Sequence, residues 1–295
     1  YYKQFYLEEK FGFNKMTTGL FFSDMIKHSL IGAIIGLPLL WVTLTVMNKA
    51  GSLWWLYAWF IWCGFQILML GLYQNLIAPL FNKFTPLEDE SLKSRIEGLM
   101  QRVGFASKGL FVMDGSRRSA HGNAYFSGFG SAKRIVFFDT LLSRLAPNEI
   151  EAVLAHELGH FKLNHVIKRI GIMFIISLGF LALLGYLKNQ PWFYLGLGVL
   201  PMMDTSNDAM ALILFMFVLP VFTFLFSPIL SLTSRQKEFE ADAFAAKHSN
   251  SQDLISALVK LYEDNASTLT PDPLHSAFYD SHPPASARIQ RLLAS

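Results

Sequence analysis

Cysteine is almost absent. Cys63 stands alone among 295 residues, so an intrachain disulfide and a CxxC metal site are both excluded. Charge is scarce too: 16% of the residues are Asp, Glu, Lys or Arg, where an average soluble domain carries about 25%. The net charge of +3 is too small to call for an acidic partner, and no basic arm is present that would bind nucleic acid. No secretory signal pattern opens the chain, whose first residue is Tyr1, and an internal piece of a longer protein is expected. Internal repeats and low-complexity stretches are missing. What is abundant is apolar: 52% of residues are hydrophobic, with 27 Phe, 11 Met and 6 Trp. That composition excludes a disordered chain and argues against a purely soluble globule.

The gaps between charged side chains locate the membrane, because a Lys, Arg or Asp at the bilayer centre costs about 2.5–3.5 kcal/mol. Four gaps are long enough for a core that needs about 20 apolar residues. They predict spans over roughly 29–47, 53–80, 170–187 and 209–232. A shorter uncharged stretch, 189–203, contains Pro191 and Pro201 and reads as a loop or re-entrant piece. Four spans put both termini and the 82–168 segment on one side. Of the 25 Lys and Arg, only Lys49 and Lys188 fall on the other. The positive-inside rule therefore places the termini and 82–168 in the cytoplasm. The expected fold class is a mainly α, polytopic membrane protein with a small α+β part. Its expected organisation is 1–81 with two spans, 82–168 as a cytoplasmic part, 169–232 with two further spans, and 233–295 as a second cytoplasmic part.

Within the polar regions, Leu92, Ile96, Leu99, Met100 and Val103 recur at helical spacing and predict an amphipathic helix within 86–104. Gly109–Asp114, Asn123–Phe126 and Arg134–Phe138 read as strands. Pro147, followed by Glu149 and Glu151, marks a helix start. With no breaker before Gly159, that helix is expected to run on into the third span. Residues 252–264 predict another amphipathic helix, with Ser251 as N-cap.

Residues 156–160 read His-Glu-Leu-Gly-His. On a helix, positions i and i+4 lie one above the other. Two imidazoles so placed can bind one zinc ion, with Glu157 beside it to take a proton from water. A catalytic zinc needs a third protein ligand and an open position. No third His extends the motif, but after the fourth span Glu238 and Asp242 again share one helical face. Glu238 can ligate zinc while Asp242 supports a ligand His. The plain alternative is a basic–acidic helix at the membrane edge. Glu240 points about 160° away from Glu238 and reads as solvated. His160 lies about 15 Å of helix from Ile170, and Glu238 about 12 Å from Leu230, so both groups are expected at similar depth. His28, His121, His165, His248 and His275 read as structural or solvated; His165, about 140° round a helix from His160, is not expected to reach the same metal.

Further segments carry a resemblance over nearly the whole chain. They are Glu8-Glu9-Lys10-Phe11-Gly12-Phe13-Asn14, Ile77-Ala78-Pro79-Leu80-Phe81-Asn82-Lys83-Phe84-Thr85-Pro86, Asn123-Ala124-Tyr125-Phe126 and Arg134-Ile135-Val136-Phe137-Phe138-Asp139-Thr140-Leu141-Leu142. The 156–160 motif, Glu238 with Ala241-Asp242-Ala243-Phe244-Ala245, and Ser281-His282-Pro283-Pro284 follow in order. In these the chain resembles the integral-membrane CAAX prenyl protease type 1 family, gluzincin metallopeptidases related to the HtpX-type membrane proteases. The resemblance implies a zinc endopeptidase that removes C-terminal residues after a prenylated cysteine in eukaryotic members. It implies His156, His160 and Glu238 as ligands and Glu157 as acid/base. It also implies Asn123, Ala124, Tyr125 and Phe126 as an edge strand that pairs with substrate backbone, His282 as an oxyanion or carbonyl donor, and Arg288 as a residue ordering the site. The family has seven spans, so about three N-terminal spans of the same protein are expected to precede this piece.

The expected partners are thus a peptide or protein, possibly lipidated, and the lipid bilayer of an endoplasmic reticulum or bacterial inner membrane, with the catalytic side cytoplasmic. Two other readings compete: an HtpX-like quality-control protease of misfolded membrane proteins, and a non-catalytic metal-binding transporter. Transporters carry ionisable residues inside their spans, and the spans here carry none.

Overall fold

A computed structural model describes residues 1–128, 133–202, 205–265, 268 and 270–294. In chain order its elements begin with α1 (Thr18–Lys49), α2 (Trp54–Leu72), β1 (Phe84–Pro86), α3 (Glu90–Arg102), β2 (Leu110–Met113), β3 (Ala124–Ser127) and β4 (Arg134–Phe138). There follow α4 (Asp139–Arg144), α5 (Pro147–Lys162), α6 (His165–Leu187), α7 (Pro191–Gly196), α8 (Asp208–Thr223), α9 (Ser227–His248), α10 (Ser251–Asp264), α11 (Pro273–Tyr279) and α12 (Ala285–Leu293). Among the described residues, four helical stretches are long and apolar enough to cross a membrane: Thr18–Lys49, Gly51–Leu80, His165–Leu187 and Asp208–His248. All four coincide with the apolar runs expected from the sequence. The 189–203 stretch holds one short helix, α7, started by Pro191; Met203 lies outside the described residues.

The chain divides into two compact units. One comprises Phe22–Met69 and Ile167–Ser227. It buries Met47, Trp54, Leu184, Tyr194 and Phe215 against one another, while large side chains such as Trp41, Ile175 and Phe217 face outwards. An outer surface this apolar suits lipid rather than water. Lys188 donates to Asp208 at 2.7 Å and to the Met47 carbonyl at 3.0 Å, so a cation and an anion inside this unit satisfy each other.

The other unit comprises Tyr1–Phe21, Leu70–Val166 and Pro228–Ser295. Its sheet has the order β1-β2-β4-β3, with β2 and β4 parallel and the outer pairs antiparallel. The sequence marked three of these strands and missed β1, whose three residues include Pro86; a proline is tolerated there because β1 is an edge. Ile96, Leu99, Ile135, Phe137, Leu141, Leu154, Leu158 and Leu254 form the core between the sheet, α3, α5 and α10. Asp89 caps α3 by accepting from the Ser91 and Leu92 amides. The cap of α10 is Asn250, which accepts from the Gln252 amide, rather than the expected Ser251.

Helix α5 does not run into α6. It ends at Lys162, and Asn164 adopts φ 57°, the left-handed region that asparagine tolerates better than most residues. The break redirects the chain just before His165.

Candidate metal centre and active site

Pro147 and Glu149 start α5: the Glu149 carboxylate accepts from the Ala146 amide at 2.7 Å. The next turns carry His156 and His160 on one face. Helix α9 crosses α5 where Gly159 meets Ala241, and a Cβ on Gly159 would lie 3.0 Å from the Ala241 Cα. That close approach carries Glu238 to the two imidazoles.

His156 Nε2 and His160 Nε2 are 3.2 Å apart. Glu238 Oε2 lies 3.5 Å from His156 Nε2, and Oε1 lies 3.3 Å from His160 Nε2. Zinc–ligand bonds of about 2.0–2.2 Å at tetrahedral angles require edges of about 3.3–3.6 Å, so the spacing fits a single ion. Two further observations support the fit. Glu238 Oε2 is buried without a hydrogen-bond partner among the described residues, and a lone carboxylate oxygen in that condition needs a cation. Burial disfavours a charged His156, yet hydrogen bonds to Asp242 and Glu238 outweigh it and push its pKa up to about 9. The cluster therefore calls for positive charge at its centre.

Each imidazole is held from behind. His156 Nδ1 is 2.8 Å from Asp242 Oδ1. Arg288 grips Asp242 with two donors, Nε to Oδ2 at 2.8 Å and Nη2 to Oδ1 at 2.6 Å. In the neutral ring that can ligate a metal, Asp242 as the acceptor places the proton on Nδ1 of His156 and leaves the Nε2 lone pair facing Glu238. Arg288 Nη1 also lies 3.8 Å from Glu238 Oε2.

His160 Nδ1 is 3.0 Å from His165 Nδ1, and His165 Nε2 is 2.8 Å from Glu240 Oε2. His165 is thus structural and buried and is not among the three residues that could share a metal, and Glu240 is half-exposed but bonded to it. The route to that expectation differs, however: α5 stops at Lys162 and the turn at Asn164, not a continuous helix, brings His165 beside His160. A non-Gly residue suited to positive φ, between two histidines, was the available signal.

Glu157 lies in the same turn as His156. Burial pushes its carboxyl above the usual carboxylate range, against the opposing pull of His156 and His160. His282 Nε2 stands 3.6 Å from Glu238 Oε1, with 62% of its side chain exposed. A cavity of about 540 Å³ opens beside it, lined in part by Tyr262, Asp280, His282 and Arg288. Asn123, Ala124, Tyr125 and Phe126 lie at and in β3, a sheet edge. Phe138 donates its amide to the Asn123 carbonyl, so the alternation of an antiparallel pair turns the amides and carbonyls of Ala124 and Phe126 away from β4. The Phe126 ring is 6.3 Å from Phe161 of α5, centroid to centroid.

Residues 86–295 match the family model described as peptidase family M48. The chain belongs to peptidase family M48. Residues 1–83 of this M48 peptidase match a second model, the CAAX prenyl protease N-terminal region with five membrane helices. It is 42% identical to the CAAX prenyl protease 1 homolog of Arabidopsis thaliana over 99% of this chain and 68% of the relative. It is 39% identical to CAAX prenyl protease 1 of Saccharomyces cerevisiae over 99% of this chain and 67% of the relative. The crystal structure of S. mikatae Ste24p superimposes with a TM-score of 0.92 at 39% identity, over 99% of this chain and 70% of that one. The M48 chain thus spans about two thirds of the length of these relatives. It is an integral multi-pass membrane metalloendopeptidase that acts on peptide or protein substrates, and its family implies a metal cofactor. These relatives favour neither the quality-control protease nor the transporter.

Proposed function

We propose that this M48 peptidase uses zinc to hydrolyse peptide bonds near the C-termini of prenylated or membrane-associated peptides, on the cytoplasmic side of its membrane. The observation that carries the proposal is the triangle of His156, His160 and Glu238, with edges of 3.2, 3.3 and 3.5 Å. These three residues would hold the ion. When bound there, zinc polarises a carbonyl and lowers the pKa of water towards about 7.

The rest of the chemistry belongs to the protein. Glu157 takes a proton from the attacking water onto its carboxylate and then delivers it to the leaving amine nitrogen. Its raised pKa suits both halves of that exchange. His282 is exposed at the rim and donates from Nε2 to the substrate carbonyl oxygen as negative charge develops there. The open edge of β3 supports a substrate laid down as an added strand, Asn123 to Phe126 supplying the backbone partners. The distribution of Lys and Arg supports the cytoplasmic orientation. The preference for a prenyl group rests on the relatives named above.

Two measurements test this. Glu157→Gln is expected to abolish peptide cleavage while one zinc per chain stays bound; retained cleavage removes Glu157 from the mechanism. Prenylated and unprenylated versions of one peptide should differ in kcat/KM by more than tenfold, and equal cleavage overturns the proposed substrate class.

A further inference from the structure

His165 and Glu240 have no part in the reaction as written, yet they form a chain that ends on His160. Glu240 Oε2 is 2.8 Å from His165 Nε2, and His165 Nδ1 is 3.0 Å from His160 Nδ1. Unlike the two Nε2 atoms, which form an edge of the triangle that would hold the ion, the two Nδ1 atoms have no room for a cation between them, so one must donate and the other accept. The Glu240 carboxylate accepts only, so His165 donates from Nε2 and its Nδ1 carries a lone pair. His160 must then donate from Nδ1. That leaves His160 Nε2 as the unprotonated nitrogen, and Nε2 is the atom that faces Glu238 Oε1 at 3.3 Å and His156 Nε2 at 3.2 Å. The arrangement mirrors Asp242 behind His156, with a histidine interposed because α9 presents Glu240 on the side away from Glu238. His165 is 4% exposed, so its two hydrogen bonds satisfy a ring that would otherwise be buried with unpaired polar atoms.

We propose that His165, oriented by Glu240, is a positioning residue of the metal centre: it fixes His160 in the tautomer whose Nε2 lone pair points at the ion. This rests on the zinc reading above. Groups that orient a metal-ligating histidine typically matter by 10–100-fold in metal affinity.

The test is zinc affinity in the full detergent-solubilised chain, measured by competition with a chromophoric chelator, without recourse to activity. His165→Leu removes the acceptor and is expected to weaken zinc by about 10–100-fold. His165→Asn places an amide oxygen where Nδ1 stands and is expected to restore most of that loss; a residue that only fills space would be rescued by Leu instead. Glu240→Ala alters a half-exposed side chain. It should weaken zinc several-fold in the parent and change nothing in the His165→Leu background. If His165→Leu does not fold, the Glu240→Ala and His165→Asn comparison decides. Parent-like zinc affinity in Glu240→Ala, or equal effects of Glu240→Ala in both backgrounds, overturns the inference. A parent that binds no zinc overturns the zinc reading instead, so the two failures are distinguishable.

Discussion

Gly159 and Ala241 meet backbone to backbone, and a Cβ on Gly159 would fall 3.0 Å from the Ala241 Cα and 3.2 Å from its carbonyl oxygen. Ala241 is fully buried, so nothing flexible is there to yield. This contact sets the separation of α5 and α9, and with it the distance from the two imidazoles to Glu238. Gly159→Ala is therefore expected to push the helices apart by a few tenths of an ångström or more. Zinc affinity should fall at least tenfold by chelator competition, although every ligand remains in the sequence. Unchanged affinity would show that the helix spacing has slack.

Arg288 holds Asp242 with two parallel donors while Asp242 holds His156. Both residues are buried. Removing one partner of a buried pair strands the other charge, at a cost of about 3–5 kcal/mol. Arg288→Ala should lower the thermal unfolding midpoint and zinc affinity together. Arg288→Lys restores the charge but not the planar fork, and is expected to recover stability better than zinc affinity. Equal recovery of both would mean that charge alone matters.

Much of this architecture could be read from residues alone, for identifiable reasons. The spans announce themselves because charge is excluded from the bilayer, and His156, His160, Glu238 and Asp242 because the i, i+4 rule holds within α5 and within α9. Contacts that need a break in a helix were out of reach. His165 was placed by continuing α5 past Asn164, and the left-handed φ there invalidates the wheel. The role of Gly159 was hidden as well, since a glycine in a helix gives no sign of what approaches it. Nor does a three-residue edge strand such as β1 leave a periodicity long enough to detect.

The open side of β3 leads to a prediction that needs no protein variant. If substrate pairs with the outward carbonyl of Ala124 and the outward amide and carbonyl of Phe126, the Ala124 amide being held by Asn123 Oδ1 at 2.8 Å, its own amides alternate between bonded and unbonded. A peptide series with single N-methyl amides should lose about 3- to 10-fold in kcat/KM at alternate positions, since one net hydrogen bond is worth about 0.5–1.5 kcal/mol. Losses that do not alternate would exclude strand addition.

Glu149 links the start of the metal-bearing helix to α10. Its carboxylate accepts from Lys260 Nζ at 2.7 Å, Ser256 Oγ at 2.6 Å and the Ala146 amide at 2.7 Å. Burial pushes its pKa up, but these donors outweigh burial and hold it below the usual carboxylate range. A carboxyl whose pKa is lower folded than unfolded contributes stability above its unfolded pKa of about 4.3, and that contribution is lost as pH falls through the folded value. At pH 7 Glu149→Gln should cost about 2 kcal/mol, the range for hydrogen bonds to a charged group. As pH falls below about 4.3 the gap between parent and variant should begin to narrow, because the unfolded chain then takes up a proton on Glu149 while the folded protein, whose carboxyl is held lower, resists it. Thermal unfolding midpoints of the two proteins, taken in detergent from pH 7 down to pH 3.5, decide the matter. A gap that stays constant or widens on acidification would show that Glu149 acts by shape and not by charge.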